Sequence, residues 1–83
     1  MSQVINFTPR VASAIQRADE ISRRYGQPTV GTEHLLMALA EDGDGIAGHV
    51  VDRLGGRQWC LDLLEEIITS DGYNRQSRPV EEK

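Results

Sequence analysis

The apolar stretch from Leu35 to Ala40 constrains this chain more than any other feature. It follows the polar run Thr32-Glu33-His34, which reads as the start of a helix. A helix over this segment would be apolar nearly all round, and such a helix is stable in water only where neighbouring elements cover it. A chain of 83 residues has room for one domain. The remaining elements are therefore expected to surround this helix.

Local start and stop signals predict one helix before this central helix and define where the central helix begins. The Thr8 hydroxyl can accept a hydrogen bond from a first-turn amide. Pro9 suits the first helical position, because an N–H there would have no partner within the helix. Gly26 and Pro28 predict the end of this first helix. Thr32 is the predicted N-cap of the second helix. Val30, in the loop between them, is expected to pack back into the core.

Two further helices are predicted after the central one. Asp44 is the expected N-cap of the third helix, which Gly55-Gly56 ends, and the fourth covers roughly 57–69. Each predicted apolar face recurs at helical spacing. These faces comprise Val11, Ala14, Ile15, Ala18, Ile21 and Tyr25 on the first helix, Ile46, Ala47, Val50, Val51 and Leu54 on the third, and Cys60, Leu61, Leu63, Leu64, Ile67 and Ile68 on the fourth.

No segment alternates with a period of two, so no sheet is expected. The chain is polar from Gly72 onward, which favours a flexible tail. We therefore predict an all-α fold, a compact bundle of four helices within residues 1–71, followed by a flexible polar tail over residues 72–83.

Composition argues against several classes of protein. The formal net charge is −4, and the basic residues, eight arginines and Lys83, are scattered along the chain. Nucleic-acid binding needs a basic face, so none is expected. No apolar run approaches the length of a membrane span, and the first residues lack the pattern of a signal peptide. With the single Cys60, these features favour a cytoplasmic protein without membrane contact.

Four motifs carry a family resemblance. They are Phe7-Thr8-Pro9-Arg10, Gly31-Thr32-Glu33-His34-Leu35-Leu36, the run from Glu41 to Ala47, and the run from Val50 to Gly55. In this order and spacing they resemble the amino-terminal repeat of Clp-family unfoldases, which reads approximately F-T-x-R, G-T-E-H-L-L, E-G-E-G-x-A and V-L-x-x-L-G. The resemblance covers about residues 7–70.

The resemblance implies an all-helical, non-enzymatic module that binds substrates or adaptor proteins of Clp ATP-dependent proteolysis. In that family two repeats form one domain ahead of ATPase modules, whereas this chain has one repeat. It also lacks a Gly-x-x-x-x-Gly-Lys-Ser/Thr phosphate loop, so ATP hydrolysis by this chain is excluded. The start at Met1-Ser2 and the polar tail favour a stand-alone protein over a domain excised from a longer chain. A two-fold homodimer is expected, because it would replace the missing partner repeat.

Glu33 has two interpretations. A first-turn acid stabilises the helix dipole by about 0.3–1 kcal/mol. The resemblance implies a second role, since some Clp repeats use this Glu to hold the guanidinium of phosphorylated arginine on substrates. Thr8, Arg10 and Thr32 are then the candidate ligand contacts, because their hydroxyls, guanidinium and neighbouring amides suit a phosphate. The Gln27-Pro28 turn replaces a Gly-His pair common in the family, which puts ligand contacts from that loop in doubt.

Phe7, Val4 and Ile5 form an apolar approach to the first helix. Packing against the bundle is the favoured interpretation for Phe7. The alternative is an exposed patch for unfolded segments or apolar cyclic peptides, since some Clp amino-terminal domains are targets of cyclic peptide antibiotics. That alternative suggests a second function, a stand-alone decoy or regulator that sequesters ligands of the unfoldase.

No catalytic, cofactor or metal site is predicted. His34, His49 and Cys60 have no zinc-ligand spacing, and His34 is expected to bond to the neighbouring loop. Cys60 lies on an apolar stripe, which favours an inert packed thiol over a nucleophile.

Overall fold

The computed structural model describes residues 5–76, and this part of the chain is all-helical. Its helices are α1 (Pro9–Arg24), α2 (Thr32–Glu41), α3 (Ile46–Leu54), α4 (Arg57–Ile68) and α5 (Asp71–Gln76). The predicted all-α fold and its four main helices are confirmed. None of the described helices is long and apolar enough to cross a bilayer.

Helix α2 is the central element, because α1, α3 and α4 all contact it. The start of α1 lies beside the end of α2, so the two helices run in opposite directions, and two ion pairs join α1 to that end of α2. Arg10 near the start of α1 lies 2.8 Å from the carboxylate of Asp42, the C-cap of α2. Arg17 Nε lies 2.9 Å from Glu41 Oε1. Water and salt screen exposed pairs of this kind, so they orient the helices more than they hold them together.

The core is small and lies where α1, α2 and α4 meet. Small residues bring α1 and α2 close, and the two isoleucines of the core are completely buried. Burying one such side chain contributes roughly 1.5–3 kcal/mol. The buried cluster consists of Ala18, Ile21, Met37, Ala38 and Ile68. The predicted central position of 35–40 is therefore confirmed, although Leu36 keeps one side of α2 exposed.

The helix ends follow the sequence closely, with two corrections of one residue. Thr8 Oγ1 accepts a hydrogen bond from Val11 N at 3.2 Å, as expected of an N-cap. Gly26 has φ +70°, a left-handed conformation that favours glycine. The N-cap of α2 is Gly31 rather than Thr32, and that of α3 is Gly45 rather than Asp44.

The turn before α3 explains why Asp44 is not a cap. The backbone N–H of Asp44 and that of Gly45 both point back to the end of α2. Asp44 N donates to Asp42 Oδ1, and Gly45 N donates to the Asp42 carbonyl. Asp42 therefore supplies the polar contacts of this turn, and the helix begins one residue later.

Several predicted core faces are not covered in this chain. Ile46 is 84% exposed and Leu54 75% exposed, with Val50 between them on the same face of α3. Val30 is 43% exposed, so the expectation that it packs into the core is wrong. The apolar periodicity predicted the helices correctly but not the burial of their faces. Other exposed members of those faces are Val11, Ile15, Leu63 and Ile67.

The structure adds a short helix that the polar composition did not predict. α5 covers Asp71–Gln76, so the chain is helical over residues that were expected to begin a flexible tail. Ser70 Oγ accepts a hydrogen bond from Tyr73 N at 3.2 Å and so caps the start of α5. Residues 77–83 of the expected tail lie outside the described residues.

Gly48 sets how closely α3 approaches the end of α2. A Cβ atom at this position would lie 2.2 Å from the backbone carbonyl oxygen of Asp42, so the helices would have to separate. We expect Gly48→Ala to lower the free energy of unfolding by about 1–3 kcal/mol, the usual cost of overpacking. Urea unfolding followed by circular dichroism measures this change.

Gly72→Ala is the matched control for this substitution. Gly72 also lies in a helix, but nothing lies within 4 Å of its missing Cβ. Alanine there should leave stability unchanged or raise it slightly, because alanine favours helix. Equal stability of Gly48→Ala and the wild-type chain would contradict the close approach.

Candidate functional site

Polar side chains from three parts of the chain meet at the start of α2. Glu33 and His34 come from its first turn, Gln27 from the preceding loop, and Tyr73 from α5. The Tyr73 hydroxyl donates a hydrogen bond to Glu33 Oε2. It also lies 3.4 Å from both His34 Nε2 and Gln27 Oε1. We call Gln27, Glu33, His34 and Tyr73 the α2-head cluster.

His34 is the buried centre of the α2-head cluster, with 1% of its surface exposed. Its Nδ1 accepts a hydrogen bond from the backbone N–H of Gly31 at 2.8 Å. Its Nε2 lies 2.7 Å from Gln27 Oε1. Because Nδ1 accepts, the neutral ring carries its proton on Nε2 and donates it to Gln27. His34 therefore joins the loop to the helix start, the structural role expected from the sequence.

The Glu33 carboxylate lies at the half-buried edge of the cluster. Burial raises the pKa of this carboxyl, but hydrogen bonds from the Tyr73 hydroxyl and from its own backbone N–H lower it more. The pKa therefore lies below its ordinary value, and Glu33 is ionised at neutral pH. A half-buried carboxylate at a helix start is suited to bind a cation.

Gly31 makes room for this arrangement. The Glu33 side chain folds back over the Gly31 backbone, so that a Cβ at position 31 would lie 2.5 Å from Glu33 Oε1. The Gly-Thr-Glu-His order thus has a physical reason. Glycine leaves space for the carboxylate, and histidine binds the glycine N–H. Thr32 is exposed beside them as the first residue of α2.

The candidate contacts from the first helix do not join Glu33. Thr8 and Arg10 lie at the start of α1, and Arg10 is bonded to Asp42 at the far end of α2. Nine residues of helix separate Glu33 from Asp42, which corresponds to about 13 Å along the axis. Within one chain the predicted set therefore divides into two places, Glu33 with Thr32 and Thr8 with Arg10.

An open groove lies at this second place, between the start of α1 and the start of α3. Its volume is about 1030 Å³. Val11, Ala38 and Ile46 contribute apolar surface, while Arg10 and Asp42 contribute charge. The groove exists because α1 and α3 both contact α2 but not each other.

The remaining candidate residues lie apart from both places. Phe7 is 57% exposed, so the favoured expectation that it packs against the bundle is not met. Ile5 is also exposed, whereas Val4 lies outside the described residues. Within residues 5–76, no group of three or more His, Cys, Asp or Glu side chains is arranged to hold a metal ion.

Two members of the α2-head cluster were missed by sequence reasoning. Gln27 stands in a turn whose ligand contacts were in doubt, yet it accepts the His34 hydrogen bond. Tyr73 lies 40 residues from Glu33 in a stretch expected to be flexible. No local pattern could have found this second pairing.

The fold is that of a small all-helical domain. It presents a carboxylate at a helix start and exposed apolar helix faces. The model of the Clp repeat (R) N-terminal domain matches residues 6–77, and the chain belongs to this family. The resemblance drawn from the four motifs is thereby confirmed.

Curated relatives agree with this assignment. The chain is 41% identical over 69 residues to the negative regulator of genetic competence ClpC/MecB of Bacillus subtilis, covering 77% of this chain and 8% of that protein. It is 37% identical over 82 residues to the chaperone protein ClpB of Oceanobacillus iheyensis, covering 93% and 10%. A ClpA homologue of Porphyra purpurea is 42% identical over 73 residues, covering 88% and 9%.

The chain thus spans about a tenth or less of the length of these relatives. No solved structure gives a significant match.

The lowered pKa of Glu33 predicts how stability depends on pH. Ionised Glu33 stabilises the folded state, fully so above the ordinary carboxyl pKa, and this contribution is lost as the pH falls through the lower folded-state value. We expect the wild-type chain to be more stable than Glu33→Gln at pH 7, and the difference to shrink between about pH 5 and pH 3.

Urea unfolding across this pH range measures the difference. Glu66→Gln is the control, because Glu66 is an exposed glutamate on α4. A stability difference for Glu33→Gln that stays constant down to pH 3 would contradict the assigned hydrogen bonds.

Proposed function

We propose that this chain is a non-enzymatic binding module that recognises substrates or adaptor proteins for Clp ATP-dependent proteolysis. We further propose that Glu33 contacts the guanidinium of phosphorylated arginine on those proteins. The family assignment supports the first part. The observation that carries the second is an ionised, half-buried carboxylate held at the start of α2.

The surroundings of Glu33 suit a ligand that combines a guanidinium with a phosphate. A carboxylate pairs with the planar fork of a guanidinium. The exposed Thr32 hydroxyl lies next to Glu33 in the chain, and a hydroxyl can donate a hydrogen bond to a phosphate oxygen. Ordinary arginine, which has no phosphate, would use only half of this arrangement.

The position of Thr8 and Arg10 links the ligand to the oligomeric state. One phosphoarginine residue is far too short to extend about 13 Å from Glu33 to Arg10 along α2. Thr8 and Arg10 can therefore contribute to the Glu33 site only from a second copy of the chain.

The uncovered apolar faces support a two-fold homodimer. The face of α3 formed by Ile46, Val50 and Leu54 is exposed, although its spacing is that of a buried helix face. Trp59 on α4 is exposed as well, beside the Gly55 turn. Adjacent exposed apolar side chains mark interaction surfaces, and a symmetric dimer would cover them in both copies.

Isothermal titration of the full chain with phosphoarginine tests the ligand. We expect binding by the wild-type chain and none by free arginine. Glu33→Gln should weaken the affinity at least about tenfold, because a hydrogen bond to a charged group is worth about 1.5–3 kcal/mol. Glu66→Gln should bind like the wild-type chain. The absence of heat at millimolar phosphoarginine, or unchanged binding by Glu33→Gln, would overturn the ligand proposal.

Sedimentation velocity tests the dimer. At ~100 μM the wild-type chain should sediment as a dimer, since a useful homodimer has at least micromolar affinity. Ile46→Asp should be monomeric. Ile46 is 84% exposed and is the first residue of α3, where an acid favours the helix, so this change spares the fold.

The control for the dimer is Gln16→Asp, which adds the same charge at an exposed polar position of α1. A wild-type monomer at this concentration would refute the dimer. Dimers formed equally well by Ile46→Asp would place the interface elsewhere.

A decoy or regulator is the alternative function. It would sequester ligands of the Clp unfoldase, such as apolar cyclic peptides, without engaging the machine. The exposure of Phe7 and Ile5 just before α1 favours this alternative. Co-purification with a Clp ATPase separates the two, because an adaptor must engage the machine and a decoy need not.

A further inference from the structure

Tyr73 occupies the carboxylate that the proposed ligand would use. Its hydroxyl donates a hydrogen bond to Glu33 Oε2, and both side chains are half-buried. A guanidinium that binds a carboxylate in the two-bond geometry needs both oxygens. Tyr73 uses one of the two acceptor positions of Oε2, so it competes with a guanidinium N–H for that oxygen.

Tyr73 is carried by a short helix with few contacts to the rest of the fold. Helix α5 is six residues long, and its backbone contacts only α4 among the described helices. Of the described α5 side chains, Tyr73 is the one that reaches α2, where it also packs against the edge of the core. Asp71 is exposed and Gly72 has no side chain.

His34 and Gln27 have hydrogen-bond partners other than Tyr73, so the departure of Tyr73 from Glu33 would leave neither side chain unbonded. These two side chains are bonded to each other at 2.7 Å and to the loop independently of Tyr73. Gln27 Nε2 also donates to the Ile68 carbonyl at 3.4 Å. If Tyr73 leaves, the start of α2 therefore keeps its structure and the Glu33 carboxylate becomes accessible.

We propose that α5 is a latch in which the Tyr73 hydroxyl occupies Glu33 and a guanidinium-bearing ligand must displace it. This inference rests on the proposed function and adds a competition between α5 and the ligand for one carboxylate. The apparent affinity is then reduced by the fraction of molecules whose latch is closed.

Tyr73→Phe tests the latch, because it removes the hydroxyl and keeps the ring. In titrations of the full chain with phosphoarginine, Tyr73→Phe should bind about five- to tenfold more tightly than the wild-type chain, as expected if the closed latch predominates. Tyr25→Phe is the matched control. Tyr25 also donates to a glutamate, but that glutamate is Glu65 of α4, at 3.3 Å, and not Glu33. The affinity of Tyr25→Phe for phosphoarginine should therefore equal that of the wild-type chain.

Each outcome of this titration has a distinct meaning. If Tyr73→Phe binds phosphoarginine with unchanged affinity, the latch is overturned and the Glu33 site stands. If it binds more weakly, the latch is also overturned, and Tyr73 is a ligand contact. The absence of binding by the wild-type chain, Tyr73→Phe and Tyr25→Phe overturns the proposed ligand, and with it the competition.

A second measurement needs no ligand. Hydrogen exchange followed by NMR should show faster exchange of the α5 amides in Tyr73→Phe than in the wild-type chain, with α1 and α4 unaffected. The exchange of α5 in Tyr25→Phe should not change. Equal α5 protection in Tyr73→Phe and the wild-type chain would show that the hydroxyl does not hold the latch, and would overturn the proposal regardless of the titration.

Discussion

The burial of α2 against its neighbours is the constraint on which the structure depends. Its buried residues, Met37 and Ala38, meet Ala18 and Ile21 of α1 on one side and Ile68 of α4 on the other. The backbone of α1 lies close to α2 but not to α3 or α4, so within residues 5–76 α2 is the main link between α1 and the other helices. Loss of the apolar contacts of α2 would leave α1 with few contacts to the rest of the fold.

The same dependence on α2 explains where the candidate sites lie. One end of α2 carries the α2-head cluster, in which the buried His34 lies beside an ionised Glu33. At the other end, α1 and α3 diverge and leave the open groove. Arg10 and Asp42 pair across that end. The α2-head cluster and the groove therefore lie at opposite ends of α2, about one helix length apart.

The small core also explains why this module exposes so much apolar surface. Its helices carry faces with the spacing of buried surfaces, but one repeat has too few neighbours to cover those of α3 and α4. Small domains bury a smaller fraction of their surface than large ones. The exposed faces are consistent with a protein whose role is to bind other chains, and with the membership of the Clp repeat family.

The sequence by itself determined the four main helices, most of their ends, and the family. Thr8, Pro9 and Gly26 act within one turn of themselves, and such local signals can be read without knowing the rest of the fold. Only the tertiary structure decided which faces are buried, and that Tyr73 pairs with Glu33 across 40 residues. It also placed Arg10 away from Glu33. Burial and long-range pairing depend on which elements meet, and periodicity cannot specify that.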